Sequence, residues 1–324
     1  MRGGRKANKL RFKHFTGAHY VVINYQTFVK KQGDLLKWKP DFVVFDESQN
    51  LKNRTSKQAE ASHKFSTVKN RLILSGTPMD DGQIDLWSQF RVIQPQLLGE
   101  WKDFESKFLR KSNYLGFTQY KFRKSRKAEF NQLISPYFYR VESQKVLNLA
   151  PVKYLLAKTT LEPKAQKLYD RILKRDVARI GDSLIYVPRA ITKILRLQQL
   201  SGGFLEDDQE QVHSVSKSKI RLLRRILKRE LKSNKQIVIF ARFIPEIGAI
   251  SRLAKRLNLS YITFDGSTPF EDRFKARKDF KAGKIQVFIS QIKAGGVGIN
   301  ELVVANTMII YSTTHSNIDF QQAI

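Results

Sequence analysis

Two neighbouring carboxylates, Asp46 and Glu47, follow the apolar run Phe42-Val-Val-Phe45. Acidic groups at the carboxyl end of a buried strand stand where open α/β sheets take their ligands. An aspartate there can hold Mg²⁺, and the adjoining glutamate can orient a water for attack on a phosphoryl group. An isolated Asp-Glu pair can equally cap the next turn. Ser75-Gly76-Thr77-Pro78 follows a second short apolar run. Pro78 biases Thr77 to an extended backbone, and Gly76 permits close backbone approach; a plain strand-to-turn connection would look the same. Gly295, Gly296 and Gly298, with Asn300 just beyond, follow a third run. Glycines at this density let backbone amides approach a phosphate or a nucleic-acid strand. Phe264-Asp265-Gly266-Ser267, Arg273 and the Gln321-Gln322-Ala323 segment say little in isolation.

These residues need elements to hold them. Short runs rich in Val, Ile and Phe occur at Tyr20–Asn24, Phe42–Phe45, Arg71–Ser75, Ile237–Ala241, Ser260–Phe264, Gln286–Ser290 and Thr307–Tyr311. Nearly continuous hydrophobicity predicts strands covered on both faces of a parallel sheet. Helical periodicity separates them at Ser56–Phe65, Ile84–Val92, Ile220–Lys232, Ile247–Leu257 and Glu271–Ala282. Strand, helix, strand in this rhythm predicts an α/β fold. The middle reads as mostly helical and basic, punctuated by Pro136, Pro151, Pro163 and Pro188. The expected organisation is a first lobe over 1–100, a helical basic region over 101–200 and a second lobe over 201–324.

The chain has 324 residues, with 59 Lys and Arg against 29 Asp and Glu, a net charge of +30. Such an excess on a folded chain points to a polyanionic partner. Residues 1–40 hold ten basic and one acidic residue, and residues 215–235 hold nine and one. Between Tyr114 and Tyr139, Lys121, Arg123, Lys124, Arg126 and Lys127 interleave with Tyr120, Phe122 and Phe130. Basic side chains grip phosphates through counterion release, and aromatic rings can stack on bases. No apolar run approaches the roughly 20 residues of a membrane span. The amphipathic stretch 220–231 presents Ile220, Leu223, Ile226, Leu227 and Leu231 as a face that packs on a core, so a membrane surface is not the expected partner. The absence of cysteine excludes a disulfide scaffold, a cysteine zinc site and a thiol nucleophile. The five histidines show no metal-ligand spacing, and Trp38, Trp87 and Trp101 read as packing residues.

The ordered set of motifs resembles the Swi/Snf-type DNA translocases of helicase superfamily two. Val22–Phe28 is similar to that family's strand before the acidic motif. Asp46-Glu47-Ser48-Gln49-Asn-Leu-Lys52-Asn53 is similar to its magnesium-binding motif, and Ser75-Gly76-Thr77-Pro78 to its coupling motif. Asp85-Leu86-Trp87-Ser88, Gln166 with Tyr169, Ser218-Lys219, Ile237–Phe243, Asp265-Gly266 with Arg273, and Ala294–Asn300 follow in family order. The resemblance implies two RecA-like parallel-sheet lobes, the first truncated, with a helical basic region between them. It implies ATP and Mg²⁺ as cofactors and double-stranded DNA, read without sequence preference, as partner. Asp46 and Glu47 would serve metal and water, with Gln49 beside them as a catalytic-motif residue able to hydrogen-bond across the lobe interface. Ser75, Gly76 and Thr77 would couple nucleotide state to DNA. Gly295, Gly296, Gly298, Asn300, Gln321 and Gln322 would line the cleft. Lys52, Asn53, Arg242, Asp265, Gly266, Arg273 and Lys293 would face DNA.

The sequence departs from the family at Ser48-Gln49, where Ala-His is common after Asp-Glu, and more severely in two further places. No Gly-x-x-x-x-Gly-Lys-Ser/Thr phosphate loop occurs, since the one Gly-Lys pair, Gly283-Lys284, is followed by Ile285. The arginines expected after Gln321-Gln322 do not follow. The expectation is therefore a fragment of a longer protein or one piece of a split gene, which does not hydrolyse ATP alone; in the split case a second polypeptide would carry the phosphate loop. The alternative is a catalytically inactive nucleic-acid-binding remnant. The insertion-poor lobes suggest a bacterial or viral source and a cytoplasmic, DNA-associated location.

Overall fold

The computed structural model describes residues 19–80, 82–114, 117–141, 152–175, 177–180, 183–186, 190–231, 236–264, 270–292 and 299–313. The chain divides into two compact units, Met1–Ala150 and Pro151–Ile324.

In the first unit, helix α1 spans Tyr25–Lys37. Asn24 caps it, its side-chain oxygen accepting from the Thr27 N–H at 2.8 Å. That cap explains why the expected strand at Tyr20–Asn24 is absent. The three apolar residues Val21–Ile23 are too few to outweigh the stop signal, and the segment runs as irregular chain into the helix. Strand β1, Phe42–Phe45, pairs in parallel with β2, Asn70–Ile73, placing Phe42 beside Asn70 and Phe45 beside Ile73. Helix α2, Lys57–His63, makes the connection and is capped by the Ser56 hydroxyl, which accepts from the Ala59 N–H at 3.2 Å.

Among the described residues the β1–β2 pair is covered on one face only, which corrects the expectation of burial on both. Phe45, with Val43 and Ile73, packs against Phe28, Leu51 and Phe65. The alternate residues Phe42, Val44, Leu72 and Leu74 remain 43–54% exposed. A strand's side chains alternate between faces, so helices packed on one side leave the other bare.

Helices α3, Leu86–Ile93, and α4, Trp101–Phe108, follow. Then comes an antiparallel hairpin of β3, Leu109–Tyr114, and β4, Phe117–Phe122, and finally α5, Lys127–Ile134. Their common core is aromatic. Phe104 and Phe130 are fully buried and Phe108 nearly so. Their rings meet at 5.4–6.2 Å in tilted and edge-on pairs, as aromatic quadrupoles prefer.

The second unit begins with α6, Pro163–Arg175, the antiparallel hairpin of β5, Val177–Ile180, and β6, Ser183–Tyr186, and α7, Ala190–Gly202. The stretch 101–200, read as mostly helical, thus contains two hairpins, and the boundary between the units falls inside it. A small antiparallel pair, β7 at Phe204–Glu206 and β8 at Val212–Ser214, leads to α8, Ser218–Glu230. The remaining elements are β9 (Ile237–Ala241), α9 (Ile244–Arg256), β10 (Tyr261–Phe264), α10 (Phe270–Lys281), β11 (Val287–Gln291) and β12 (Thr307–Ile310). The four strands form one parallel sheet in the order β10-β11-β9-β12.

Here both faces are covered, as the sequence predicts. Ile237, Ile239 and Ala241 point into a cluster with Leu223, Leu227, Ile247 and Ile250. Val238 and Phe240 point the other way, into a cluster with Phe264, Phe280 and Phe288. No helix among the described residues is long and apolar enough to cross a membrane.

Phe104→Ala should lower the stability of the first unit by about 3–5 kcal/mol, because it empties a fully packed site. Phe42→Ala, on the open face, should change it by about 0.5 kcal/mol or less. Urea unfolding of the two variants measures the difference.

Candidate functional site

The parallel pairing of β1 and β2 sets their carboxyl ends side by side. The Leu74 N–H donates to the Phe45 carbonyl, and the Ser48 N–H donates to the Leu74 carbonyl, both at 2.9 Å. The ladder therefore continues into the two loops that carry Asp46-Glu47 and Ser75-Gly76-Thr77.

The acidic loop turns sharply. Glu47 adopts a left-handed backbone, φ 52° and ψ 52°, which is uncommon for a residue with a side chain. Three hydrogen bonds hold it. Asp46 Oδ1 accepts from the Glu47 N–H at 2.9 Å, and the Glu47 carbonyl accepts from the Asn50 N–H at 3.0 Å and from Asn50 Nδ2 at 2.9 Å. Tyr25 at the start of α1 donates its hydroxyl to the Asp46 carbonyl at 2.8 Å. Burial pushes that phenol upward, and the Asp46 and Glu47 charges push it further. The turn leads into a short 3-10 helix, Ser48–Leu51, that buries Ser48, Gln49 and Leu51.

Gln49 joins the two loops. Its Nε2 donates to Glu47 Oε2 at 2.7 Å, and its Oε1 accepts from Ser75 Oγ at 2.6 Å. Ser75 Oγ in turn accepts from the Thr77 N–H at 3.0 Å. Every donor in this chain points toward Glu47. The amide orientation is dictated, since a flipped Gln49 would set its oxygen against a carboxylate. Charge on Glu47 polarises the series, and hydrogen bonds in such chains strengthen one another. Both polar ends of Gln49 thus have a partner inside the first unit, and one N–H and one lone pair of the amide remain for a further bond.

Two further ties hold the loops. Lys52 Nζ pairs with Asp80 Oδ2 at 2.6 Å, both side chains being more than two-thirds buried. The Ser48 hydroxyl donates to Gln89 Oε1 at 2.8 Å, while Gln89 Nε2 donates to the Pro78 carbonyl at 2.7 Å and the Asp85 carbonyl at 3.0 Å. Asp85 Oδ2 accepts from the Asp80 N–H at 2.6 Å. Sequence reading missed Tyr25, Asp80 and Gln89 as parts of this site. The signal available for Gln89 is a polar residue one helical turn beyond Asp85, on a helix with apolar neighbours at Leu86, Trp87 and Phe90.

The Thr77 hydroxyl is buried without a hydrogen-bond partner among the described residues. Such a group costs roughly 1–3 kcal/mol until something satisfies it. Gly76 is exposed, and a Cβ built there meets nothing within 4 Å, so the chain's own packing does not demand glycine at that point. Asp46 is exposed and Asn53 is exposed, the Asn53 side-chain oxygen accepting from the Thr55 N–H and hydroxyl.

In the second unit, Arg242 follows β9 and is held from several sides. Its N–H donates to Ser312 Oγ at 2.7 Å, its carbonyl accepts from Gln291 Nε2 at 3.2 Å, and its guanidinium donates to Gln198. Ser312 donates to Glu246, whose carboxylate also accepts from the Phe243 N–H at 3.3 Å. Glu246 is 1% exposed. Burial pushes Glu246 up, against the opposing Ser312 bond and Lys219 charge, and burial pushes Lys219 down. Arg273 on α10 lies over the Phe264 ring at 5.1 Å. Asn300 is exposed and opens a 3-10 turn, Asn300–Val304. Asp265, Gly266, Lys293, Gly295, Gly296, Gly298, Gln321 and Gln322 lie outside the described residues. Among the described residues, no group of three or more His, Asp or Glu side chains could hold a metal.

Comparison with known proteins adds the following. A family model described as the SNF2-related domain matches residues 2–202, and one described as the helicase conserved C-terminal domain matches residues 218–324. The ISWI chromatin-remodeling complex ATPase ISW1 of Saccharomyces cerevisiae is 24% identical over 310 residues, covering 90% of this chain and 27% of that protein. An uncharacterized ATP-dependent helicase of Mycoplasma pneumoniae is 29% identical over 293 residues, covering 86% of this chain and 26% of its own length. The SWI2/SNF2 ATPase core domain of Sulfolobus solfataricus aligns over 86% of this chain and 58% of its own, with 21% identity and a TM-score of 0.40. The chain spans about a quarter of the length of these curated relatives. The relatives are mostly eukaryotic, from yeast, human, mouse and Arabidopsis, with bacterial ones from Mycoplasma, so they do not single out the expected bacterial or viral source.

His63 tests the packing behind the site. Its Nε2 lies 2.9 Å from the Ser88 carbonyl. Burial holds its imidazole below the ordinary value of 6.5; the Ser88 bond opposes this and the Arg91 charge assists it. The unfolded chain therefore binds the proton more readily. The His63 contribution to stability is present above about pH 6.5 and should fall as pH drops from there toward the depressed folded value. Urea unfolding across that window should show this loss in the parent chain and not in His63→Gln.

Proposed function

The chain belongs to the SNF2-related domain family, and on that premise we propose that it forms part of an ATP-dependent motor that moves along double-stranded DNA. The observation that carries this reading is the hydrogen-bonded series from Thr77 through Ser75 and Gln49 to Glu47. It links an acidic loop at the end of one parallel strand to the loop at the end of the next.

The exposed Asp46 carboxylate and the adjoining Glu47 fit a hard cation. Mg²⁺ is ordinarily held by one or two carboxylates, with waters and substrate phosphates completing its shell. These two residues would hold it, and bound there it would neutralise charge on the phosphates of ATP. Glu47, fixed at Oε2 by Gln49, orients a water and accepts its proton. A change of charge at Glu47 alters the pull on Gln49, Ser75 and the Thr77 amide, which is how nucleotide state would reach the Ser-Gly-Thr loop. The unpartnered Thr77 hydroxyl is a group that such a change could satisfy. Asn53, Arg242, Asp265, Gly266, Arg273 and Lys293 face DNA in this reading, with Lys52 acting through its tie to Asp80. Gly295, Gly296, Gly298, Asn300, Gln321 and Gln322 line the nucleotide cleft, and the location is DNA-associated.

The sequence contains no Gly-x-x-x-x-Gly-Lys-Ser/Thr run, so nothing recognisable cradles the β- and γ-phosphates. Turnover in this reading needs a cradle from outside these residues, in the same polypeptide or another. A second reading is a nucleic-acid-binding remnant without catalysis. The intact, bridged acidic loop favours the motor.

The purified chain should bind duplex DNA and release no phosphate from ATP above background, with or without DNA. Robust release that disappears in Asp46→Ala would contradict the missing cradle. Failure to bind duplex DNA would contradict the motor reading and the remnant reading alike.

A further inference from the structure

From Leu109 to Lys127 the chain carries seven basic residues and no acidic one. The fold sorts them. Lys111 lies 3.9 Å from Glu105, and Arg126 pairs with Glu129 at 2.8 Å, as does Lys107. Arg123 turns its Nε back to the Leu109 carbonyl at 2.8 Å. Arg110, Lys121, Lys124 and Lys127 are exposed and have no carboxylate partner among the described residues.

The register sharpens this. Arg110 on β3 stands directly opposite Lys121 on β4. Like charges facing each other across two strands are destabilising, so this arrangement costs stability unless a counter-charge sits over it. The opposite face of the hairpin is the packed one. Leu109 is 2% exposed, the Phe122 ring stacks on Phe108 at 5.8 Å, and the Tyr120 ring meets Trp101 edge-on at 5.5 Å. Phe130 is fully buried. The aromatic residues that interleave with the charges in sequence are therefore turned into the core. They are not a stacking platform for bases, which is what single-strand binding uses.

We propose that the outward face of the β3–β4 hairpin, with Arg110 and Lys121, together with Lys124 in the turn after it and Lys127 at the start of α5, is a phosphate-contact surface for duplex DNA. This rests on the reading of the chain as a DNA-binding protein and adds to it a specific grip on the first unit. Charge without stacking or a base-reading group gives contact to the backbone and no sequence preference.

The test is fluorescence anisotropy of a labelled duplex with the full chain over a range of salt. The comparison is between the parent, a variant with Arg110→Gln, Lys121→Gln, Lys124→Gln and Lys127→Gln, and a control with Lys30→Gln, Lys57→Gln, Lys64→Gln and Lys69→Gln. Each phosphate contact contributes about 0.9 to the slope of log affinity against log salt. With all four engaged, the parent should lose on the order of 10²-fold more affinity than the hairpin variant between about 50 and 200 mM salt. The control should keep most of the parental slope. Thermal unfolding of the hairpin variant should match or exceed the parent, because removing Arg110 and Lys121 relieves repulsion. Parental binding with an unchanged slope in the hairpin variant overturns this surface and leaves the DNA-binding reading standing. An equal loss in the control also overturns it, as does tighter binding of single strands than duplex by the parent. A parent that binds no duplex overturns both this surface and the reading beneath it.

Discussion

The Gln49 side-chain amide is gripped at both ends, by the Glu47 carboxylate on one side and the Ser75 hydroxyl on the other. Most of what is particular about the first unit follows from meeting that geometry. Glu47 must take a left-handed backbone to bring its carboxylate back over the short 3-10 helix. Ser75 must lie beside the acidic loop, which the parallel register of β1 and β2 and the Ser48 to Leu74 bond provide. Lys52 with Asp80, and Ser48 with Gln89, then keep the two loops from separating. A buried polar network of this kind is stabilising only while every member is satisfied. The Thr77 hydroxyl is the member left without a partner among the described residues.

The two units solve the problem of burying parallel strands differently. In the second, alternate residues of β9 feed two separate apolar clusters, so the strand is enclosed from both sides. In the first, β1 and β2 are enclosed from one side, and the aromatic cluster around Phe104, Phe108 and Phe130 supplies a separate core. That second core also anchors the β3–β4 hairpin through Leu109, Phe122 and Tyr120, which is why the hairpin's other face can carry unpaired charge.

The enclosed sheet was the most legible part of the fold. β9 lies at Ile237–Ala241, where continuous hydrophobicity puts it, and β10, β11 and β12 start or end within a residue of the expected runs. Both loops after β1 and β2 were legible as chemistry, because carboxylates and a Ser-Gly-Thr-Pro run after apolar strands are local signals. The tie between them was not, because Gln49 and Ser75 are 26 positions apart and only the parallel register brings them together. Helix α1 was misread because an apolar triplet outweighed the Asn24 cap that follows it. The first hairpin is illegible because the interior of β3, Arg110-Lys111-Ser112-Asn113, is polar throughout and carries no apolar alternation that would mark a strand. Gly181-Asp182, between β5 and β6, is a two-residue turn signal that could have revealed the second hairpin.

The central claim is that the acidic loop and the Ser-Gly-Thr loop are energetically one unit through Gln49. A double-mutant cycle on the stability of the first unit, with Gln49→Ala, Ser75→Ala and the pair, measures this directly. Residues that share a hydrogen-bond network give interaction energies of about 0.5–3 kcal/mol. The account predicts a coupling in that range, the pair costing less than the sum of the single changes. Additivity within about 0.3 kcal/mol would contradict it.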